Sequence, residues 1–317
     1  MSRLRDIPNL DKPLPLPAFG GLRKSVHLFD SDSILAIDAA LACGRPLLIR
    51  GEPGVGKSQL ARAAAQALGR VFVSRFVDAR TEAHDLLWFY DAVTRLAEAQ
   101  VQRQAGQVGD ALARINFVQP GPLWWALNWR DATQQAIVTK TPKPAIAKDC
   151  AAKNGVVLLI DEIDKAESSV PNGLLEALGH GTFTVPGREL PVSAKGPTPL
   201  VILTSNEDRS LPDAFVRRCV VLPLRLPGPR QELLDWLVLR GQAHRPDLDA
   251  DTVLIPAAEQ VADDRKKAED EDVCAPGLAE YVDLLQALTE GGSEGAKDRI
   301  AKLAPFFLRK HADPKRS

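Results

Sequence analysis

Residues 51–58 read Gly-Glu-Pro-Gly-Val-Gly-Lys-Ser and complete the pattern G-x-x-x-x-G-K-[ST]. The apolar run Leu47-Leu48-Ile49 enters the loop and the helix-forming run from Gln59 to Ala65 leaves it. A strand, a glycine-rich loop and a helix in this order predict a phosphate-binding loop and the start of a β-α-β unit. Gly51, Gly54 and Gly56 let the backbone turn and approach a phosphate closely. The N–H groups of the loop, including those of Pro53's neighbours, Val55 and Gln59, then form a nest at a positive helix end. Lys57 is expected to reach the β- and γ-phosphates, and the Ser58 hydroxyl to bind Mg²⁺. The phosphate-binding set is therefore Gly51, Pro53, Gly54, Val55, Gly56, Lys57, Ser58 and Gln59. The competing reading is a glycine-rich turn before an ordinary helix.

A second element depends on the first. Val156-Val157-Leu158-Leu159-Ile160 is an unbroken aliphatic run, as expected of a parallel strand buried on both faces. It ends in Asp161-Glu162-Ile163-Asp164, at the strand edge where ligands bind in open α/β sheets. Asp161 is expected to join the Mg²⁺ shell, and Glu162 to orient and polarise an attacking water. Alone, the acidic cluster would read as a solvated turn; downstream of the loop, it reads as catalytic. Asp164 is read as solvated or helix-capping. The strand Leu200–Thr204 ends in Ser205-Asn206, where a polar side chain can reach the water or the γ-phosphate.

The rest of the chain organises around these elements. Residues 1–21 hold a proline-rich stretch and read as an extended arm. Residues 30–42 read as a helix capped by Ser31 or Ser33. Val71–Val73 reads as a short strand, and 81–116 as helical. The segment 119–130 holds three of the five tryptophans; it reads as a loop and half-turn packed on the core, with an exposed partner surface as the alternative. Residues 131–153 read as a surface insertion or mobile loop. A helix over 167–179 is expected to end at Gly179, followed by a hairpin over 182–192 around Pro186-Gly187. Residues 211–218 read as a short helix ending in Arg217 and Arg218, before the strand 220–222. From 227 onward, the pattern predicts helices over 229–243, 255–270, 276–290 and 295–310, with 262–272 as a solvated face or loop. The expected division is an arm (1–21), an α/β nucleotide-binding core (22–226) with a parallel sheet flanked by helices, and an all-helical lid with a short tail (227–317).

Composition narrows the function. The 317 residues carry 40 basic and 41 acidic side chains, a formal net charge of −1. That balance offers no global attraction to nucleic acid or an anionic membrane. No apolar run is long enough for a transmembrane helix, and the four scattered cysteines read as reduced thiols, so a cytoplasmic location is expected. No Ser-His-Asp set, H-E-x-x-H motif or Cys-His pair accompanies the loop.

The ordered motifs resemble an AAA+ ATPase of the MoxR-like branch. The resembling phrases are Gly51 to Ser58, Leu159 to Ala166, Leu174 to Leu178 before the hairpin, and Leu211 to Arg218. Leu86 to Val93 and Gly121 to Trp125 are similar to a bacterial MoxR-like subset. The resemblance spans about residues 22–310. It implies ATP as the nucleotide and Mg²⁺ as the cofactor. It implies a homo-oligomeric ring, usually a hexamer, with active sites at subunit interfaces. Arg218 would be the arginine finger, with Arg217 as the alternative, and Asn206 the polar sensor. The hairpin would face the pore or a partner. The implied role is chaperone-like remodelling or activation of a protein, possibly a von Willebrand factor A domain protein. A nucleic-acid motor or GTPase subunit of a restriction or defence system, or a nucleotide-dependent switch, is the alternative. The chain departs from the pattern at Cys274–Glu280, where the family usually carries a sensor arginine and this sequence has no basic residue.

Overall fold

The computed structural model describes residues 4, 12–104, 112–289 and 295–309. Residues 1–3 and 5–11 of the expected arm, the expected helix across 105–111 and the C-terminal tail lie outside the described residues. Strand β1 (Leu14–Leu16) pairs antiparallel with β2 (Ser25–His27), so this part of the arm is tied down. Next come α1 (Ser31–Cys43), β3 (Leu47–Arg50), the loop, α2 (Lys57–Ala67) and β4 (Val71–Phe76). Asp30, not Ser31 or Ser33, caps α1: its carboxylate accepts from the Ser33 N–H at 2.7 Å.

The stretch 81–116 is not one helix. It contains β5 (Trp88–Tyr90) and α3 (Ala92–Gln104), and β5 pairs antiparallel with β6 (Val118–Pro120). Trp-Phe-Tyr suits a pleated surface, and Asp91 starts the helix afresh by accepting from the Thr94 N–H at 2.9 Å. The tryptophan segment forms α4 (Pro122–Leu127), which is buried along its length; Trp124 is fully buried. The segment is packed on the core as expected, but as helix rather than as a loop and half-turn. Residues 131–153 are not all loop, because α5 (Trp129–Val138) occupies their first third. Its buried face uses Ala132, Gln135 and Ala136 rather than large aliphatics. The Gln135 amide donates to the carbonyls of Ile115 and Val118 at 2.8 and 2.7 Å. A buried amide satisfied by backbone leaves no apolar periodicity to read.

The chain continues through β7 (Val156–Asp161), α6 (Ser169–His180), β8 (Thr182–Phe183), β9 (Val192–Ser193) and β10 (Leu200–Ser205). Helix α6 runs past Gly179 and is ended by Gly181 in the left-handed region. Short α7 (Asp213–Val216) and β11 (Val220–Pro223) follow. The C-terminal region is α8 (Arg230–His244), α9 (Ile255–Asp270), α10 (Leu278–Thr289) and α11 (Ala296–Phe307).

The main sheet has five parallel strands in the order β11-β3-β10-β7-β4. Period-two alternation sends successive side chains to opposite faces. Leu48, Val71, Val73, Leu158, Ile160 and Leu203 pack on one face, with α4 and α6. Leu47, Ile49, Phe72, Val157, Leu159 and Ile202 pack on the other, with α1 and α2. Burial on both faces explains why the strands read as unbroken apolar runs. Helices α8 to α11 bury a separate cluster centred on Leu237, Tyr281, Leu284 and Leu285. Because β10 lies between β3 and β7, the C-terminal ends of all three converge at one edge. Among the described residues, no helix is long and apolar enough to cross a membrane.

One ion pair holds the hairpin β8–β9 to the body. Arg188 donates to both oxygens of Asp131 at 2.7 and 2.9 Å, and the Trp124 indole N–H donates to the same carboxylate at 2.8 Å. The Arg188 hydrogen bonds hold the Asp131 carboxyl below the usual carboxylate range of about 3.8, against the opposing effect of burial. Asp131→Asn should cost about 2 kcal/mol. A depressed pKa stabilises fully above the unfolded value, and that contribution disappears as pH falls through the native one. Urea unfolding should therefore show a wild-type advantage that is constant near neutrality and shrinks below about pH 4.

Candidate functional site

The loop connecting β3 to α2 closes over the ammonium of Lys57. Its Nζ donates to the carbonyls of Gly51 and Glu52 at 2.7 and 2.8 Å and to Asn206 Oδ1 at 2.7 Å. The side chain is only 7% exposed. Burial lowers the Lys57 pKa, and the carboxylates of Asp161, Asp164, Glu162 and Asp208 oppose that shift. The result is a cation aimed at a cleft, with acceptors that an incoming oxyanion can replace.

Ser58 opens α2 beside it, and its hydroxyl donates to the Asp161 carboxylate at 2.9 Å. Thr204, fully buried near the end of β10, donates to Asp161 Oδ1 and accepts from the Glu162 N–H at 2.9 Å. Asp161 is thereby oriented from two sides. Glu162 takes a left-handed backbone, φ +58°, which turns its side chain off the strand. Asn206 Nδ2 donates to Glu162 Oε1 at 3.2 Å, and Lys165 forms an ion pair with the same carboxylate. The Lys165 ammonium also sits 5.4 Å from the Phe76 ring centre. Asp164 is not solvated: it is 2% exposed, and its Oδ2 accepts from the Asp208 N–H at 3.1 Å. A 3₁₀ turn over Ile163–Lys165 folds Asp164 under the loop after β10.

These groups face a cavity of about 900 Å³, bounded on its far side by α10 and the end of α8. Pro53, Gly54, Gly56 and Gln59 line it with Lys57, Ser58, Asp161, Glu162 and Asn206. Val55 is instead buried, and Gly51 lies beneath the loop. Gln59 donates from its amide to the Val26 carbonyl at 2.9 Å, joining α2 to β2. The cavity is polarised. Its loop end holds Lys57 and the carboxylates, whereas the opposite end meets β2 and α8 near His27 and His244. Burial, reinforced by the Arg240 charge, pushes His27 down to about 4. The same two causes lower His244. Both imidazoles are neutral near pH 7, and the charges at this end include those of Arg240, Arg245 and Asp247.

Arg217 and Arg218 are not brought to this cavity. They follow α7, both are exposed, and neither lines the cleft. Three groups that sequence reasoning did not single out do belong to the network: Thr204, Lys165 and Arg265. Thr204 is a polar residue inside an apolar strand, which is a readable signal. Lys165 stands three residues after Glu162. Arg265 lies within the run expected to be solvated, yet its side chain is only 11% exposed and reaches Glu52.

A divalent cation fits one corner. The Ser58 hydroxyl and Asp161 carboxylate are adjacent hard oxygen donors. Among the described residues, no group of three or more His, Cys, Asp or Glu could hold a metal. That combination suits Mg²⁺, which typically uses one or two carboxylates and completes its shell with water and phosphate oxygens.

Residues 46–219 match the family described as AAA domain (dynein-related subfamily). The chain is 28% identical over 210 residues to Midasin from Giardia intestinalis, a match covering 64% of this chain and 3% of that protein. It thus spans only a small fraction of that relative's length. A RuvB mutant from Thermotoga maritima aligns at 15% identity over 87% of this chain and 68% of that one, with a TM-score of 0.48.

Gly51 sets the entry to the loop. Its φ is +152°, and a Cβ there would lie 2.1 Å from the Leu224 carbonyl oxygen. Gly51→Ala should lower stability by about 2 kcal/mol or more. Gly179→Ala, in α6 with nothing within 4 Å of an added Cβ, should instead stabilise by about 0.5–1 kcal/mol. Parallel urea denaturation of both variants checks the contrast.

Proposed function

The chain belongs to the AAA domain family, dynein-related subfamily, and on that footing we propose that it is a MoxR-like AAA+ ATPase. In this reading it hydrolyses ATP with Mg²⁺ in a ring, remodelling or activating a protein partner. The observation that carries it is the joining of Lys57, Asn206 and Glu162 in one hydrogen-bonded row beside the Ser58–Asp161 pair. Residues 22–226 form the nucleotide-binding core and 227–317 the lid.

The roles follow from chemistry. Loop N–H groups and Lys57 bind the triphosphate, and Lys57 exchanges its carbonyl acceptors for phosphate oxygens. Ser58 and Asp161 hold Mg²⁺, which supplies charge neutralisation at the phosphates when bound. Glu162 accepts a proton from the attacking water, and Asn206 orients both. In the state described, Glu162 is engaged by Lys165 and Asn206. It must release Lys165 to act as a base, because the ion pair occupies the carboxylate oxygen that would face the water. The end of the cavity lined by β2, α8 and α10 would hold the base of the nucleotide.

Arg218, or Arg217, would act on a neighbouring subunit. Their exposure and absence from their own cleft favour contribution to another copy. A hexamer is the proposed ring, and a von Willebrand factor A domain protein the proposed partner. The balanced charge of −1 favours a protein over a nucleic-acid substrate.

Glu162→Gln should bind ATP while phosphate release falls about 10²–10⁴-fold; unchanged turnover removes Glu162 from the base role. Arg218→Ala should lose about 10³–10⁵ in rate. Mixing Arg218→Ala with Glu162→Gln should restore activity at interfaces that combine an intact finger with an intact base. Rings that form but show no such recovery would count against the finger.

A further inference from the structure

The C-terminal helices touch the phosphate loop at two places. Arg265 on α9 donates through Nη2 to both carboxylate oxygens of Glu52, at 2.9 and 2.7 Å. The Ala279 N–H, at the start of α10, donates to the Gly54 carbonyl at 3.1 Å. The two contacts are linked, because Arg265 Nη1 also donates to the Pro276 carbonyl, 3.3 Å away, just before α10. Glu269, one turn further along α9, pairs with Arg265 Nε at 3.2 Å and steadies the guanidinium.

The loop side of this contact leads directly to the reacting end. The Glu52 carbonyl is one of the three acceptors that hold the Lys57 ammonium. One residue therefore offers its carboxylate to α9 and its backbone oxygen to Lys57. The approach is close: a Cβ on Gly54 would lie 3.0 Å from Glu280 Oε2 and 3.4 Å from the Ala279 Cβ. Movement of the α9–α10 corner must therefore move the loop or break these bonds. The segment Cys274–Glu280 itself supplies no cation to the cavity.

We propose that Arg265 is a positioning residue that couples the C-terminal helices to the phosphate loop through Glu52, setting the backbone that holds Lys57. The inference rests on the nucleotide-hydrolysis reading above. Arg265 does not touch the nucleotide. It acts through Glu52, so helix orientation and Lys57 placement change together.

A double-mutant cycle in the full chain tests this, with steady-state ATP hydrolysis, fluorescent-nucleotide binding and thermal unfolding as readouts. Arg265→Met and Glu52→Gln should each lower kcat about threefold to tenfold, in the same direction, and the double variant should be no worse than either single one. Arg265→Lys should recover part of the loss, since it keeps the charge but not the fork. A purely electrostatic role predicts something else. Removing Arg265 would then raise KM, removing Glu52 would lower it, and kcat would stay put; that outcome overturns the proposal. So do multiplicative losses in the double variant, or lowered unfolding temperatures with unchanged kcat. Should Arg265→Met fail to fold, Glu52→Gln alone decides, because its side chain is half-exposed and its kcat must still fall. A wild-type chain that neither binds nor hydrolyses ATP would instead sink the nucleotide reading itself.

Discussion

The Lys57 ammonium is the point on which the site depends. A buried cation is costly unless its donors are satisfied, and here the partners come from two separated parts of the chain. Two carbonyls belong to the loop after β3 and one amide oxygen to Asn206 after β10. Their satisfaction requires the loop to fold back on itself and β10 to lie beside β3. Sheet order and loop shape are therefore mutually dependent. Asn206 then extends the row to Glu162, which brings the end of β7 into the same network.

Charge is distributed along the cleft in a way that separates its tasks. The loop end concentrates the ammoniums of Lys57 and Lys165 and several carboxylates, a setting that suits phosphate and a divalent cation. At the opposite end burial keeps His27 and His244 neutral, beside the charges of Arg240, Arg245 and Asp247. The C-terminal helices close over both ends, and their contacts with Glu52 and Gly54 make the loop sensitive to where they sit. Glu162, meanwhile, is engaged by Lys165 and Asn206.

The sheet strands were readable because burial on both faces demands unbroken apolar runs, and β7 and β10 satisfy that demand in their sequences. Helix α5 was not readable, because its buried face is built from alanines and an amide that bonds to backbone. The pairing of β5 with β6 was missed because α3 and its helical periodicity separate the two strands, and no short turn signal joins them. Asp164 and Arg265 were misjudged for a common reason. Each lies in a charged run that would be solvated in isolation, and each is buried by a segment distant in sequence.

What the sequence determined by itself was the chemistry of the loop and its nearest partners. Glycines, lysine and serine at fixed spacing dictate a phosphate nest locally, within eight residues, and an aliphatic run ending in Asp161-Glu162 dictates a buried strand with acids at its tip. What only the tertiary structure decided was which distant groups complete those pieces. Thr204 orients Asp161, Asn206 bridges Lys57 and Glu162, and Arg265 grips Glu52 across 213 positions of chain. Such contacts depend on strand order and helix packing, which bring together residues with no local periodicity in common.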